Sequence, residues 1–337
     1  MKLRLFALSL VFVVPTLCIA AGLTQHMFMS DIASELVTTP ELVTCLDNNR
    51  DAYLAGAFFP DAGYAVGNQQ MSEDAHSKSF IDAFISHIQQ SYPSPYVDQY
   101  QQISFMMGAA SHVADDPPYH AHFVKEAAQR DFNGNYDKAH TMCDSGLEFL
   151  TIVDFDRWSD IPALWLPLDD IVNTYALIGS SYSKVEIVTG NVILLVAAYA
   201  ERLIASPVYN PLVRTMPWTA ENYYDFPNGG LFNGGEVSAA YYETVWGTLM
   251  SSDFSPPETT IDNFPDLRLG PGLKTSPEPT ESSQILYDFA RRCLDKHLVV
   301  VEVFDLNDGS VRIGQPRITD HEKYISLLQA TVQRIGK

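Results

Sequence analysis

Seven of the nine histidines fall before residue 141, and six of those stand within a few residues of an aspartate. Imidazole nitrogens and carboxylate oxygens are the donors a zinc site uses. Positions four apart share a helix face, so His112 with Asp116, and His140 with Asp144, can each aim two ligands at one ion. Upstream, Asp61 follows Phe58-Phe59-Pro60 in a glycine-containing stretch that reads as a loop, and His76 is expected to open a helix carrying Phe80 and Phe84. Pro117 and Pro118 are expected to end a helix at Asp116 and to send His120 back toward the site from a loop. His26 lies near the start of the chain. Buried together, these carboxylates need cations to neutralise them, whereas His87, His297 and His321 read as structural or idle. Ions a few Å apart ionise a bound water near neutral pH and neutralise phosphoryl oxygens, so phosphodiester hydrolysis is the natural reaction. A carboxylate beside zinc can both ligate and accept a proton, which makes Asp61 the candidate catalytic residue, with a role as ligand alone the alternative.

The elements that must position these groups are helical. From Ala21 to about Met250 apolar residues recur at spacings of three and four, with Pro and Gly at the joints. Tyr100, Ile103, Met107, Ala110 and Ala114 mark one such stripe. Ile187 to Ala200 is an uncharged run between Glu186 and Glu201, too short for a membrane span and expected to be a core helix. Residues 251–282 form a Pro-rich linker. Beyond it, 283–337 reads as a small α+β extension: a helix over Gln284 to Leu298, a hairpin of Val299 to Phe304 with Val311 to Ile313 across Asn307-Asp308-Gly309, and a final helix opened by a Thr319/Glu322 capping box.

Composition narrows the function classes. The 337 residues are 46% hydrophobic and 18% charged, which excludes disorder, collagen and coiled coil. A formal charge of -20 disfavours a phosphate backbone as partner, so nucleic acid is not expected. Residues 1–20 read as a secretory signal: Lys2 and Arg4, then an apolar run, then Cys18-Ile19-Ala20 as cleavage site. A secreted protein of the extracellular space or endomembrane lumen is expected, beginning at Ala21, without a transmembrane segment and monomeric. The three remaining cysteines, Cys45, Cys143 and Cys293, form no disulfide framework.

Five stretches carry a resemblance: Gly22-Leu23-Thr24-Gln25-His26; Ala52-Tyr53-Leu54-Ala55-Gly56 running to Phe59-Pro60-Asp61; Ser72-Glu73-Asp74-Ala75-His76; Gly108 to Asp116 with His120; and Asn135-Tyr136-Asp137-Lys138-Ala139-His140 to Asp144. In order and spacing the chain resembles the zinc-dependent phospholipases C, and more closely the N-terminal catalytic domain of glycosylphosphatidylinositol-specific phospholipase D. The resemblance implies an all-α, multi-helix bundle of the zinc-dependent phospholipase C/P1 nuclease type over residues 21–250, with up to three zinc ions. It implies that Ala21, through its free amine, and His26 hold one ion, that Asp61, His76 and His112 hold a second, and that His120, His140 and Asp144 hold a third, Asp116 bridging the first two. Asp115, His122 and Cys143 stand beside ligands and remain alternatives. The implied substrate is a phospholipid or glycosylphosphatidylinositol anchor at a membrane surface, cut by C-type or D-type hydrolysis. A single-strand nuclease on the same three-zinc fold and a catalytically idle metal-binding protein are the competing readings.

Overall fold

The computed structural model describes residues 23–161, 163–251 and 281–335. The expected signal, Ala21 and residues 252–280 of the Pro-rich segment lie outside these residues. The fold is a helical bundle with a small sheet at its C-terminal end. In chain order the helices are α1 (Leu23–Leu36), α2 (Pro40–Asn48), α3 (Arg50–Phe58), α4 (Ala62–Val66), α5 (Gln69–Ala75), α6 (Lys78–Ser91), α7 (Tyr100–Pro118), α8 (Lys125–Asp131) and α9 (Tyr136–Asp154). They continue with α10 (Leu168–Leu177), α11 (Lys184–Thr215), α12 (Pro217–Asn222), α13 (Leu231–Met250), α14 (Glu281–Asp295) and α15 (His321–Ile335).

Local chemistry sets many of the helix starts. The side chains of Asn68, Ser77 and Asn135 accept from backbone amides at the starts of α5, α6 and α9, replacing bonds that a first helical turn cannot make for itself. Ser183 and Glu186 form a reciprocal capping box on α11. That helix has 32 residues and is long and apolar enough to cross a membrane, but 72% of its apolar window is buried against its neighbours, as in a core helix.

The centre of the bundle is the crossing of α3 on α7. A Cβ at Gly56 would collide with the Phe105 carbonyl, and one at Gly108 with the Tyr53 carbonyl, so the two backbones touch where only glycine fits. This close approach brings the last turn of α3, and Asp61 after it, against the end of α7 that carries His112 and Asp116. Phe58, Phe59, Phe80, Phe84 and Phe105 are fully buried behind that point. They hold the site from the apolar side, with Phe58 and Phe59 as core residues.

Several local expectations are corrected. Asp61 lies in a 3-10 turn, Phe59–Asp61, and not in an open loop. His76 ends α5, while Ser77 caps the helix that follows. The two prolines do not end α7 at Asp116; the helix runs through Pro118 and widens into a π-helical turn, Tyr119–Val124. The prolines withhold two amide donors, and a wider turn accommodates that loss without breaking the rod. His120 is thus helical, and stays on the same face as Asp116.

The C-terminal hairpin is present in shortened form, with β3 (Val303–Asp305) antiparallel to β4 (Val311–Ile313). An earlier strand, β1 (Leu164–Leu166), pairs with the other edge of β4. Its three residues are all buried, so no alternation marks it in the sequence. A second ladder joins β2 (Val299–Val300) to β5 (Arg317–Ile318). The last helix is capped by Asp320, whose carboxylate accepts from the Lys323 amide, because Thr319 is occupied with the backbone of residues 297 and 298.

Candidate metal centre

Five segments deliver ligand-type side chains to one buried region: α1 with His26, the 3-10 turn with Asp61, the α5–α6 junction with His76, α7 and its π-helical extension with His112, Asp116 and His120, and α9 with His140 and Asp144. All but His140 are buried, and His140 is half-buried. Three sets converge so that their donor atoms lie within 4.8 Å of one another: His26, His112 and Asp116; Asp61, His76 and His112; and His120, His140 and Asp144. Of the residues expected to bind metal, only Ala21 lies outside the described part of the chain.

The separations are those of ligands facing a common point. His76 Nε2 stands 3.5 Å and His112 Nε2 4.0 Å from Asp61 Oδ1. Asp116 Oδ1 is 3.9 Å from His26 Nε2 and 3.0 Å from His120 Nε2, and His140 Nε2 is 2.8 Å from Asp144 Oδ2. Tetrahedral zinc with bonds of about 2.0–2.1 Å sets its ligand atoms about 3.3 Å apart, inside this range. The orphaned atoms point the same way: Asp61 Oδ2 and Asp144 Oδ1 are buried without a hydrogen-bond partner. Buried polar atoms are rarely left so, and a divalent cation satisfies them.

Ring orientation is fixed from behind. His76 Nδ1 lies 2.7 Å from the Ser72 carbonyl oxygen and His112 Nδ1 2.9 Å from that of Ala57. A carbonyl only accepts, so Nδ1 carries the hydrogen in both rings and Nε2 keeps the lone pair that a metal needs. His26 Nδ1 donates to Asp115 Oδ1 at 2.9 Å. Asp115 is therefore the orienting partner of His26, a role the sequence left open among possible ligands.

His112 has one ring nitrogen to give, yet it belongs to two of the three sets. The described side chains can therefore complete two three-ligand sets at once, and His26 with Asp116 then lacks a third donor. Asp116, expected to bridge the first two ions, sits on α7 between His26 and His120.

Charge is held in opposition across the cluster. Burial favours the neutral carboxyl at Asp116, but His120, His112 and His26 around it hold it well below the usual range. At Asp61 burial acts the same way and is likewise outweighed, by His112 and His76. Burial would lower His26, but Asp115, then Asp116 and Asp61, raise it to about 9. For His112 burial and the charge on His26 act together and lower it to about 3, leaving a neutral imidazole ready to ligate. Burial raises Asp115 to about 7, against the pull of His26. His76 and His120 are raised by their carboxylate neighbours against burial.

An interlocked His/Asp cluster at the crossing of bundle helices agrees with the comparisons. Residues 25–203, just over half of the chain, match the zinc dependent phospholipase C family, and the chain belongs to that family. It is 29% identical over 197 residues to the phosphatidylinositol-glycan-specific phospholipase D of Dictyostelium discoideum, covering 55% of this chain and 21% of that one. The human enzyme of the same name is 28% identical over 206 residues, with 54% and 23% covered, and the mouse enzyme 27% over 252 residues, with 66% and 29% covered. The chain thus spans less than a third of the length of these relatives. No solved structure matches it significantly.

Two features escaped the sequence reading. Asp115 was visible only as a neighbour of Asp116, and its role follows from α1 lying against α7. Glu148 continues the spacing of His140 and Asp144 by one further turn of α9, a signal present in the sequence, and its carboxylate meets the start of α1.

Proposed function

We propose that this protein is an exported zinc-dependent phospholipase, a monomer that hydrolyses a phosphodiester bond of a phospholipid or glycosylphosphatidylinositol anchor at a membrane surface. The observation that carries the reading is the set of buried histidines whose Nδ1 atoms are tied back while their Nε2 atoms face buried carboxylates. Asp61, His76 and His112 would hold one ion, His120, His140 and Asp144 another, and His26 with Asp116 a third, completed by the Ala21 amine of a processed chain. Zinc, when bound, supplies Lewis acidity toward the phosphoryl group and the attacking water. Asp61 does the proton work: its Oδ2 has no hydrogen-bond partner, so it can orient the water and accept its proton while Oδ1 faces the histidines. Asp115 and the Ser72 and Ala57 carbonyls hold the rings so that no reorganisation accompanies the reaction. The relatives' shared name supports the glycosylphosphatidylinositol substrate, and the apolar run over residues 1–20 supports export.

The test incubates purified mature protein with labelled phosphatidylcholine vesicles, a glycosylphosphatidylinositol-anchored protein and single-stranded DNA. Phosphatidic acid as the lipid product would assign D-type cleavage, and diglyceride C-type. Cleavage of DNA alone would replace this reading with the nuclease, and zinc without turnover on any substrate would leave a metal-binding protein.

A further inference from the structure

Next to the metal centre lies a buried charged group that it does not use. Glu148 is fully buried on α9, and both its oxygens point at the start of α1. The Thr24 amide donates to Oε1 at 2.8 Å and to Oε2 at 2.9 Å, and the Gln25 amide to Oε2 at 3.3 Å. Helix α1 has no acidic residue of its own in its first turn, so this carboxylate, from 124 positions along the chain, serves as its cap. Arg202 from α11 closes the arrangement: its Nη2 donates to Thr24 Oγ1 at 3.2 Å and to the Asp160 carbonyl at 2.7 Å, and its Nη1 to the Ala198 carbonyl at 2.9 Å. Gln25 Nε2 donates to the Asp144 carbonyl at 2.9 Å, tying the same turn to a residue of the third ligand set. Burial, and then the adjacent Glu148 carboxylate, hold Glu201 well above the usual range, and burial raises Glu148 too, against the pull of Thr24 and Arg202. Arg202 and the helix amides offset the charge of the buried pair, as burial requires.

A helix end can be capped by a local serine or aspartate at far lower desolvation cost. What a local cap cannot do is fix α1 relative to α9. We propose that Glu148 is a positioning residue: it docks the leading turn of α1 onto α9 and so sets where His26, the next residue after the capped pair, meets Asp116 and His112. This rests on the reading of His26 as a metal ligand. Glu148 itself touches neither ion nor substrate.

The experiment uses the purified, zinc-loaded protein and its Glu148→Gln, His26→Ala and double variants, with zinc counted by native mass spectrometry and amide exchange followed over residues 23–27. Glutamine keeps the shape and removes the charge. Glu148→Gln should speed exchange of the Thr24 and Gln25 amides about tenfold, the loss of charge-assisted bonds. It should also lose about one zinc equivalent, the same as His26→Ala, and the double variant should lose no more than either single one. A purely structural role would lower stability without this selective, non-additive loss. Thr24→Pro supplies an independent route, since proline fits a first helical turn but has no amide to donate; it should reproduce the zinc loss. If His26→Ala loses zinc while Glu148→Gln and Thr24→Pro keep both zinc and amide protection, the positioning role is wrong. If His26→Ala keeps all its zinc, the metal reading of His26 fails and the proposed role falls with it, even where the amides still open.

Discussion

The two ends of the metal centre are built differently. Around Asp61 three histidines from α1, the α5–α6 junction and α7 gather beside the α3–α7 crossing, and each ring is anchored through Nδ1: His76 on Ser72, His112 on Ala57, His26 on Asp115. At the other end His120 Nδ1 has no hydrogen-bond partner, His140 is half-buried, and His120 stands on a π-helical turn instead of a regular helix. Ligands already held in the binding geometry lose little freedom on binding, whereas loosely held ones must be ordered by the ion. The anchored end should therefore hold zinc tightly and the outer trio more weakly.

Asp116 joins the two ends, and its loss should break the contrast altogether. Asp116→Asn removes the charge between His26 and His120, takes away the carboxylate that His120 faces, and leaves His26 with Asp115 alone. Disrupting a buried charge set in this way costs about 3 kcal/mol or more, a hundredfold or greater fall in zinc affinity. Activity should collapse with it. Asp115→Asn leaves every ligand in place and loosens only His26, so a smaller fall of about 10–100-fold is expected. Zinc counts and rates for the two variants check the order, and the reverse ranking would make Asp115 the ligand and Asp116 its support.

Graded chelation sharpens the comparison directly. Zinc should leave in two phases, the outer trio first, and His140→Ala should abolish the early phase while leaving the late one. Complete removal should lower the melting temperature, because an ion bound only to the folded chain contributes its binding free energy to folding. A single phase with full cooperativity would mean that the two ends are equivalent despite their different anchoring.

Acidity should act in opposite directions on loaded and stripped protein. His26, His76 and His120 all bind protons more readily than free imidazole, so falling pH sets protons against zinc and the ions should be released. In stripped protein the His26 shift stabilises the fold. Its affinity for a proton is raised from 6.5 to about 9, so that stabilisation is fully present below about 6.5 and is lost as pH rises through about 9. Melting curves between those values, with and without chelator, should diverge. Parallel curves would show that His26 does not face Asp115 and Asp116 when the metal is gone.

The same contrast explains what the sequence made legible. The helical class, the ligand-bearing pairs on α7 and α9, and the buried character of 187–200 all follow from spacing, because a helix fixes which side chains are neighbours. The turn at Asp61 and the helical path through Pro117-Pro118 into the π-helical turn differ from the local pattern because both depend on packing from other segments. A proline pair ordinarily ends a helix, and here the surrounding elements hold it in place. Strand β1 has only three residues and gains its partner from position 311 onward, far beyond local pattern. Asp115 carries no motif, and the spacing of Glu148 from His140 and Asp144 does not say what it meets; both become meaningful only once α1 lies across α7 and α9.

The smallest expected effect probes the outer trio alone. Tyr136 opens α9, its ring lies parallel to that of His140 at 6.0 Å, and its hydroxyl donates to the His120 carbonyl at 3.2 Å. It touches both histidines of this end, but through a backbone oxygen and a ring face, not through Nδ1. Tyr136→Phe keeps the ring and deletes the hydroxyl, removing a single neutral hydrogen bond worth about 1 kcal/mol. The early phase of zinc release should quicken by about fivefold, with the late phase and the zinc count unchanged. Because the bond positions the π-helical turn and not a ligand nitrogen, a change in the late phase would mean that the two ends communicate through α7. An unchanged early phase would mean that the turn is held by Pro117 and Pro118 alone, and that the weakness of this end comes from the solvent reaching His140.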